Sequence, residues 1–236
     1  MFLRVVGCSP AWPNPGGIHS GYVVRSGDDR VLIDCGPGVL ARLRAEEGWP
    51  AVHAIVISHL HLDHCGDLVP WQWGHLHGSD HGRGTPELWL PPGSGPGIAA
   101  LASRVDDAFA VREYADGVTF EAAGFAFTPR AVRHYDQPTF GLRVERDGAT
   151  LAYSADTGPT DALVELARDA DVVLCEATLD EPEQGQRGHL SHGEARAAAD
   201  AAGAQRLLLT HRPVELHAPG FELAYDGLEL ELRSSA

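Results

Sequence analysis

Basic residues are scarce in this chain: its 236 residues carry 18 Lys and Arg against 33 Asp and Glu, a formal net charge of −15. A polyphosphate backbone is bound through Lys and Arg clusters that displace counterions, so this balance argues against a large nucleic-acid footprint. Cysteine is sparse too. Cys8, Cys35, Cys65 and Cys175 lie far apart with no C-x-x-C pair, which leaves no zinc ribbon or thioredoxin-like site and suits reduced thiols in a cytoplasmic protein. No apolar run approaches the ~18 residues of a membrane span. The Val5-Val6-Gly7-Cys8 string lacks the charged and apolar leader of a lipoprotein signal and reads as a buried first strand. A hydrophobic fraction of 44% with 22% charged residues is ordinary globular composition, and a chain of this length buries a sizeable core without disulfides. Against these shortages stands one surplus, 13 histidines.

Short β-branched runs bounded by Gly, Pro and Asp predict strands over 2–6, 21–25, 30–34, 53–58, 88–91, 125–132, 141–146, 150–154, 172–175 and 206–210, with a closing strand near 227–232. Helical patterns fall at 39–47, 66–77, 98–109, 161–170 and 191–202. The segments 74–84 and 91–97 are rich in Gly and Pro and read as loops. Hairpin-like neighbours such as 125–132 and 141–146 imply antiparallel pairing. The expected fold class is therefore α+β, an αββα sandwich of two mixed β-sheets flanked by helices, as a single domain over 1–236.

The histidines concentrate after the strand ending at Ser58, in His59-Leu60-His61-Leu62-Asp63-His64-Cys65-Gly66-Asp67. Three imidazoles and a carboxylate within six residues cannot all be core groups, because each buried ring would need its own partner. In an extended turn His59 and His61 project to one side, while Asp63 and His64 fall where the next helix begins, so two pairs can face two neighbouring points. Imidazole nitrogens and carboxylate oxygens bind Zn²⁺ at ~2.0 to 2.2 Å, and two ions ~3.5 to 4 Å apart form a dinuclear site. Further ligands must come from other strand ends. His134 follows the 125–132 strand, Asp156 follows 150–154, and His211 follows Leu207-Leu208-Leu209-Thr210.

H-x-H-x-D-H, then His134, then Asp156 in Tyr153-Ser154-Ala155-Asp156-Thr157-Gly158, then His211 after an apolar strand, resembles the metallo-β-lactamase fold superfamily from Gly7 to His211. The resemblance implies that His59, His61 and His134 hold one divalent ion, that Asp63, His64 and His211 hold the second, and that Asp156 bridges them. It also implies a nucleophilic water between the two ions, with Asp63 counted among the catalytic groups. Zinc suits the ligand set, with manganese or iron the alternatives. The flavo-diiron oxidoreductase branch has Glu at the place of His61, so hydrolysis is preferred over redox chemistry.

Cys175-Glu176-Ala177-Thr178 and Gly188-His189-Leu190-Ser191 resemble the paired loops of tRNase Z-like phosphodiesterases. By that resemblance His189 contacts the scissile phosphate or protonates the leaving oxygen, and Glu176 fixes its tautomer. Two departures are visible: Cys175 replaces the usual His, and Leu190 separates His189 from Ser191. In the blander alternative, Glu176 caps a loop and His189 and His192 decorate the start of the 191–202 helix. Asp156 follows His134 by only 22 positions, so the long basic arm of tRNA 3′-processing enzymes is missing. The strings 8–9, 58–65, 154–158 and 207–211 are also similar to atypical bacterial cyclic-nucleotide phosphodiesterases.

The leading expectation is therefore a dinuclear metallohydrolase acting on a small phosphodiester such as a cyclic nucleotide, without membrane attachment and with a homodimer as its candidate assembly. The alternatives are a hydrolase of lactones, thioesters, sulfate esters or β-lactams, an RNA-processing nuclease lacking the arm, and a non-catalytic ligand sensor. His19, in the loop after the first strand, is a candidate for a place at the site. His75, His77 and His81, with Trp71 and Trp73 upstream, are candidates for the mouth of the cleft or for a plain surface loop.

Overall fold

The computed structural model describes residues 1–78 and 84–233. Its first sheet draws on β1 (Phe2–Gly7), β2 (Gly21–Ser26), β3 (Asp29–Ile33), β4 (Ala54–Val56), β5 (Glu87–Leu90) and β6 (Ala110–Glu113). The second is built from β7 (Phe120–Ala122), β8 (Phe125–Val132), β9 (Thr139–Arg146), β10 (Ala149–Tyr153), β11 (Val172–Glu176), β12 (Leu207–Thr210) and β13 (Glu222–Leu223). The last strand, β14 (Glu229–Glu231), returns to the first sheet beside β1. The spatial orders are β14-β1-β2-β3-β4-β5-β6 and β13-β12-β11-β10-β9-β8-β7.

Each sheet starts as an antiparallel meander and continues with parallel strands, from β3 through β6 in one and from β10 through β13 in the other. Parallel strands are covered on both faces and so need continuous apolar runs. Ala54-Ile55-Val56 and Leu207-Leu208-Leu209 meet that need and are buried throughout.

Three apolar layers follow from these patterns. Between the sheets lie Leu3, Val5, Tyr22, Val24, Phe125, Phe127, Leu142, Val144, Leu151 and Tyr153. Outside the first sheet, Val39, Leu40 and Leu43 of α1 (Val39–Glu47) and Leu68 and Trp71 of α3 (Leu68–His77) cover Leu32, Ile55 and Ile57. Outside the second, Leu163 and Leu166 of α6 (Asp161–Leu166) and Ala195 and Ala199 of α7 (His192–Ala201) cover Val173, Cys175 and Leu209. The expected αββα sandwich is the observed architecture.

Local differences have physical reasons. The expected helix 98–109 is two helices, α4 (Gly95–Leu101) and α5 (Val105–Ala108), so part of the expected loop 91–97 is helical. The expected helix 66–77 is observed as α3, and a Cβ on its Gly74 would lie 2.3 Å from the Trp49 ring. The remainder of the 74–84 loop, with His81, falls largely outside the described residues. The outer strands β6 and β7 bear no clear apolar alternation, since β6 is mostly exposed. No helix among the described residues is long and apolar enough to cross a membrane.

Candidate metal centre

Chain direction carries the chemistry to one edge of the sandwich. His59 follows β4, His134 follows β8, Asp156 follows β10, His211 follows β12, and Glu176 ends β11. Ligands in α/β sheets gather at such carboxyl ends. Four non-glycine residues at this edge, Asp34, Tyr135, Ala155 and His211, have φ between +45° and +56°. Side chains rarely take that backbone region, and it clusters at functional sites. The short helix α2 (Leu62–Cys65) presents Asp63 and His64. It packs so tightly on the loop after β3 that a Cβ on Gly36 would lie 2.0 Å from the Asp63 carbonyl oxygen.

The seven expected ligands fall into two groups whose donor atoms lie within 4.8 Å of one another: His59, His61, His134 and Asp156, and Asp63, His64, Asp156 and His211. In the first, His61 Nδ1 is 3.2 Å from His59 Nε2 and 3.0 Å from His134 Nε2, and Asp156 Oδ2 is 3.9 and 3.8 Å from the latter two. In the second, His211 Nε2 is 3.1 Å from Asp63 Oδ2 and 3.4 Å from His64 Nε2, and Asp156 Oδ1 is 3.3 Å from His64 Nε2. Two donors about 2.1 Å from a tetrahedral ion stand about 3.4 Å apart, so these separations suit a shared cation in each group.

The hydrogen bonds behind the rings fix which nitrogen faces inward. His64 Nδ1–H donates to Asp34 at 2.7 Å and His134 Nδ1–H to the Gly188 carbonyl at 2.9 Å. His59 Nδ1–H donates to Ser58 Oγ at 3.0 Å, whose hydroxyl donates on to Asp34 at 2.9 Å. His211 Nδ1–H donates to Thr178 Oγ1 at 2.9 Å, whose hydroxyl donates on to Glu176, also at 2.9 Å. Each of these four rings turns a bare Nε2 into the cluster, the arrangement that outer partners impose on metal-bound histidine. Asp156 Oδ1 is buried with no hydrogen-bond partner, a costly state unless a cation sits against it. The residues present fit a pair of divalent ions.

Without a bound cation, burial and neighbouring charge compete at these groups. Burial depresses His59, His61 and His134, keeping them neutral. For His64 burial works downward, but the Asp156 and Asp34 carboxylates outweigh it and raise the pKa. Burial pushes Asp63 and Asp156 upward, and the surrounding imidazoles hold both well below the usual carboxylate range.

Beside this cluster, His189 Nδ1 donates to Glu176 Oε1 at 2.8 Å, and its ring lies 4.8 Å from His134 and 6.0 Å from His211. Burial opposes the charged ring, yet the Glu176 bond and charge prevail and push the pKa up to about 9. Glu176 is fully buried and accepts two further backbone bonds, from Thr157 and Thr178. The two departures in these loops are structural. Cys175 faces the helical layer outside the second sheet, and Leu190 fills that layer while Ser191 caps α7 through a capping box with Glu194.

Among the described residues, the other histidines stay out of the seven-residue cluster. His19 Nδ1 lies 2.9 Å from the Pro10 carbonyl, His77 stacks on Trp73, and His192 opens α7 against Phe221. His75 also stays on α3. Sequence reasoning missed Asp34, wholly buried, which accepts from Ser58 N, Ser58 Oγ, His64 and Tyr153. Its signal was an acidic residue closing an apolar strand just before Gly36.

Residues 29–212 match the model of the Beta-lactamase superfamily domain. The chain belongs to that family. Within this superfamily, an uncharacterized protein of Mycobacterium tuberculosis is 39% identical over 222 residues, covering 89% of this chain and 80% of the relative. A probable metallo-hydrolase of Bacillus subtilis, YhfI, is 30% identical over 90% of this chain and 87% of its own. The YhfI crystal structure superposes with a TM-score of 0.87 at 25% identity, covering 97% of this chain and 98% of the other. Ribonuclease Z of Mycobacterium bovis is 29% identical over 89% of this chain and 85% of the enzyme.

Proposed function

We propose that the protein is a metal-dependent phosphodiesterase for a small phosphodiester, with a cyclic nucleotide the leading candidate. The observation that carries the reading is the Glu176–His189 pair set directly beside the seven-residue cluster, His189 lying 4.8 Å ring to ring from His134. In this reading His59, His61 and His134 hold one ion, Asp63, His64 and His211 the other, and Asp156 reaches both. Zinc suits these ligands, as do manganese and iron. Such ions supply Lewis acidity toward a phosphoryl group and an acidified water. His189 offers a proton to the departing oxygen while Glu176 holds its ring in place. The span between His134 and Asp156 is filled by β9, β10 and their turns. With a net charge of −15 and no basic arm, the reading favours a small substrate.

The test is metal analysis followed by turnover of bis(p-nitrophenyl) phosphate and cyclic AMP beside a lactone and a thioester. We expect two equivalents of metal and diester hydrolysis. Asp156→Ala should lose metal and activity together. His189→Ala should keep both ions and lose ~10² to 10³ in kcat, the usual cost of removing one transition-state donor. Loaded protein that hydrolyses the lactone or thioester and no diester would overturn the reading.

A further inference from the structure

The loop from Leu179 to Ser191 carries His189, and a tyrosine from the segment after β8 packs on it. Tyr135 directly follows His134 with φ +45°. A bulky residue rarely takes that conformation, and it persists where surrounding contacts over-determine it. The contacts are these. Its hydroxyl donates to Glu183, and the other oxygen of that carboxylate accepts from the Gly188 amide at 2.9 Å. Its ring covers Gly188 so closely that a Cβ there would fall 2.3 Å from ring atoms. The Gly188 carbonyl in turn accepts from His134 Nδ1 at 2.9 Å, and the Tyr135 ring meets His189 edge to face at 5.6 Å. A second bond, Gln186 Nε2 to Asp136 at 3.1 Å, joins the same two segments. The ring thus lies against the glycine preceding His189, while the hydroxyl grips the loop through Glu183.

We propose that Tyr135 is a positioning residue, a latch that acts through Glu183 and Gly188 to set His189 at its working distance from the metal cluster. Its effect on turnover rests on the phosphodiesterase reading, whereas its effect on the loop does not. Tyr135→Phe keeps the ring over Gly188 and removes only the hydroxyl; Tyr135→Ala removes both. Outer partners of this kind commonly cost ~10- to 100-fold in activity.

The experiment uses the metal-loaded protein and combines hydrogen exchange over residues 183–190 with kcat and KM for bis(p-nitrophenyl) phosphate, in the wild-type and His189→Ala backgrounds. Tyr135→Phe should retain two equivalents of metal, speed exchange of the 183–190 peptide, and lower kcat about tenfold with little change in KM. In the His189→Ala background the same substitution should cost nothing more, because a latch has no effect once the group it positions is gone. Exchange at wild-type rate in both Tyr135 variants would overturn the latch. So would a Tyr135→Phe loss that adds in full to that of His189→Ala. Wild-type protein that turns over no diester would remove the phosphodiesterase reading, and exchange would still decide the latch.

Discussion

Asp34→Asn is the sharpest single perturbation of the metal cluster, because it preserves shape and changes one atom. The carboxylate accepts from Ser58 N through Oδ1, and from Ser58 Oγ, His64 Nδ1 and Tyr153 OH through Oδ2. In the amide the remaining oxygen keeps Ser58 N, and the two hydroxyls can rotate to accept. His64 cannot adapt without cost, since its Nδ1–H would face an NH₂ from 2.7 Å. Its proton would have to move to Nε2, the atom that faces Asp156 at 3.3 Å and His211 at 3.4 Å, and a ring protonated there is no ligand. A hydrogen bond to a charged group contributes ~1.5 to 3 kcal/mol, which corresponds to about 10- to 100-fold in metal affinity, the range known for outer partners of ligating histidine. His59 also leans on Asp34, through Ser58, so both ions should weaken. The assay is zinc competition against a chromophoric chelator, with metal per chain measured directly. Asp34→Asn protein that holds two equivalents at wild-type affinity would refute the tautomer argument.

Two further outcomes follow from the same geometry. In metal-free protein, the His189 pKa near 9 lies above its unfolded value of 6.5. Its bond to Glu176 therefore stabilises fully below pH 6.5 and is lost as pH rises through 9. Urea unfolding of wild type and His189→Gln between pH 6 and 10 should show a gap that closes toward the alkaline end, and a gap that widened with pH would contradict the assignment. Gly36→Ala should push α2 off the loop after β3, costing ~1 to 3 kcal/mol as overpacking does and lowering metal content. An unchanged Tm with two equivalents bound would show that the 2.0 Å approach is relieved elsewhere.

The sequence made the sandwich and the inner cluster legible for one reason. Seven His and Asp residues stand just past strongly apolar strands, where side chains of those types have no structural use unless they converge. Glu176 and His189 stood out through the resemblance of their two loops to those of tRNase Z-like phosphodiesterases. Asp34, Thr178 and Tyr135 were not assigned roles, because each is defined by partners far along the chain: Tyr153 is 119 residues from Asp34, and Glu183 is 48 from Tyr135. An Asp or Thr at a strand end is common, and only the folded arrangement distinguishes one that orients a ring. The β6 and β7 strands escaped because a sheet's outer strands need no apolar alternation.

The seam between the two sheets has a thermodynamic side. His59, His61, Asp63 and His64 come from the first sheet's half of the chain and His134, Asp156 and His211 from the second, with Asp63 and His211 148 positions apart. No ion can find its full set of donors until both halves have docked, so affinity for metal doubles as adhesion between halves. Each tenfold rise in free ion above saturation adds about 1.4 kcal/mol per site to the folded state. On the proposed reading the cell's metal supply would enter the protein's stability directly, through the seam where the two sets of donors meet.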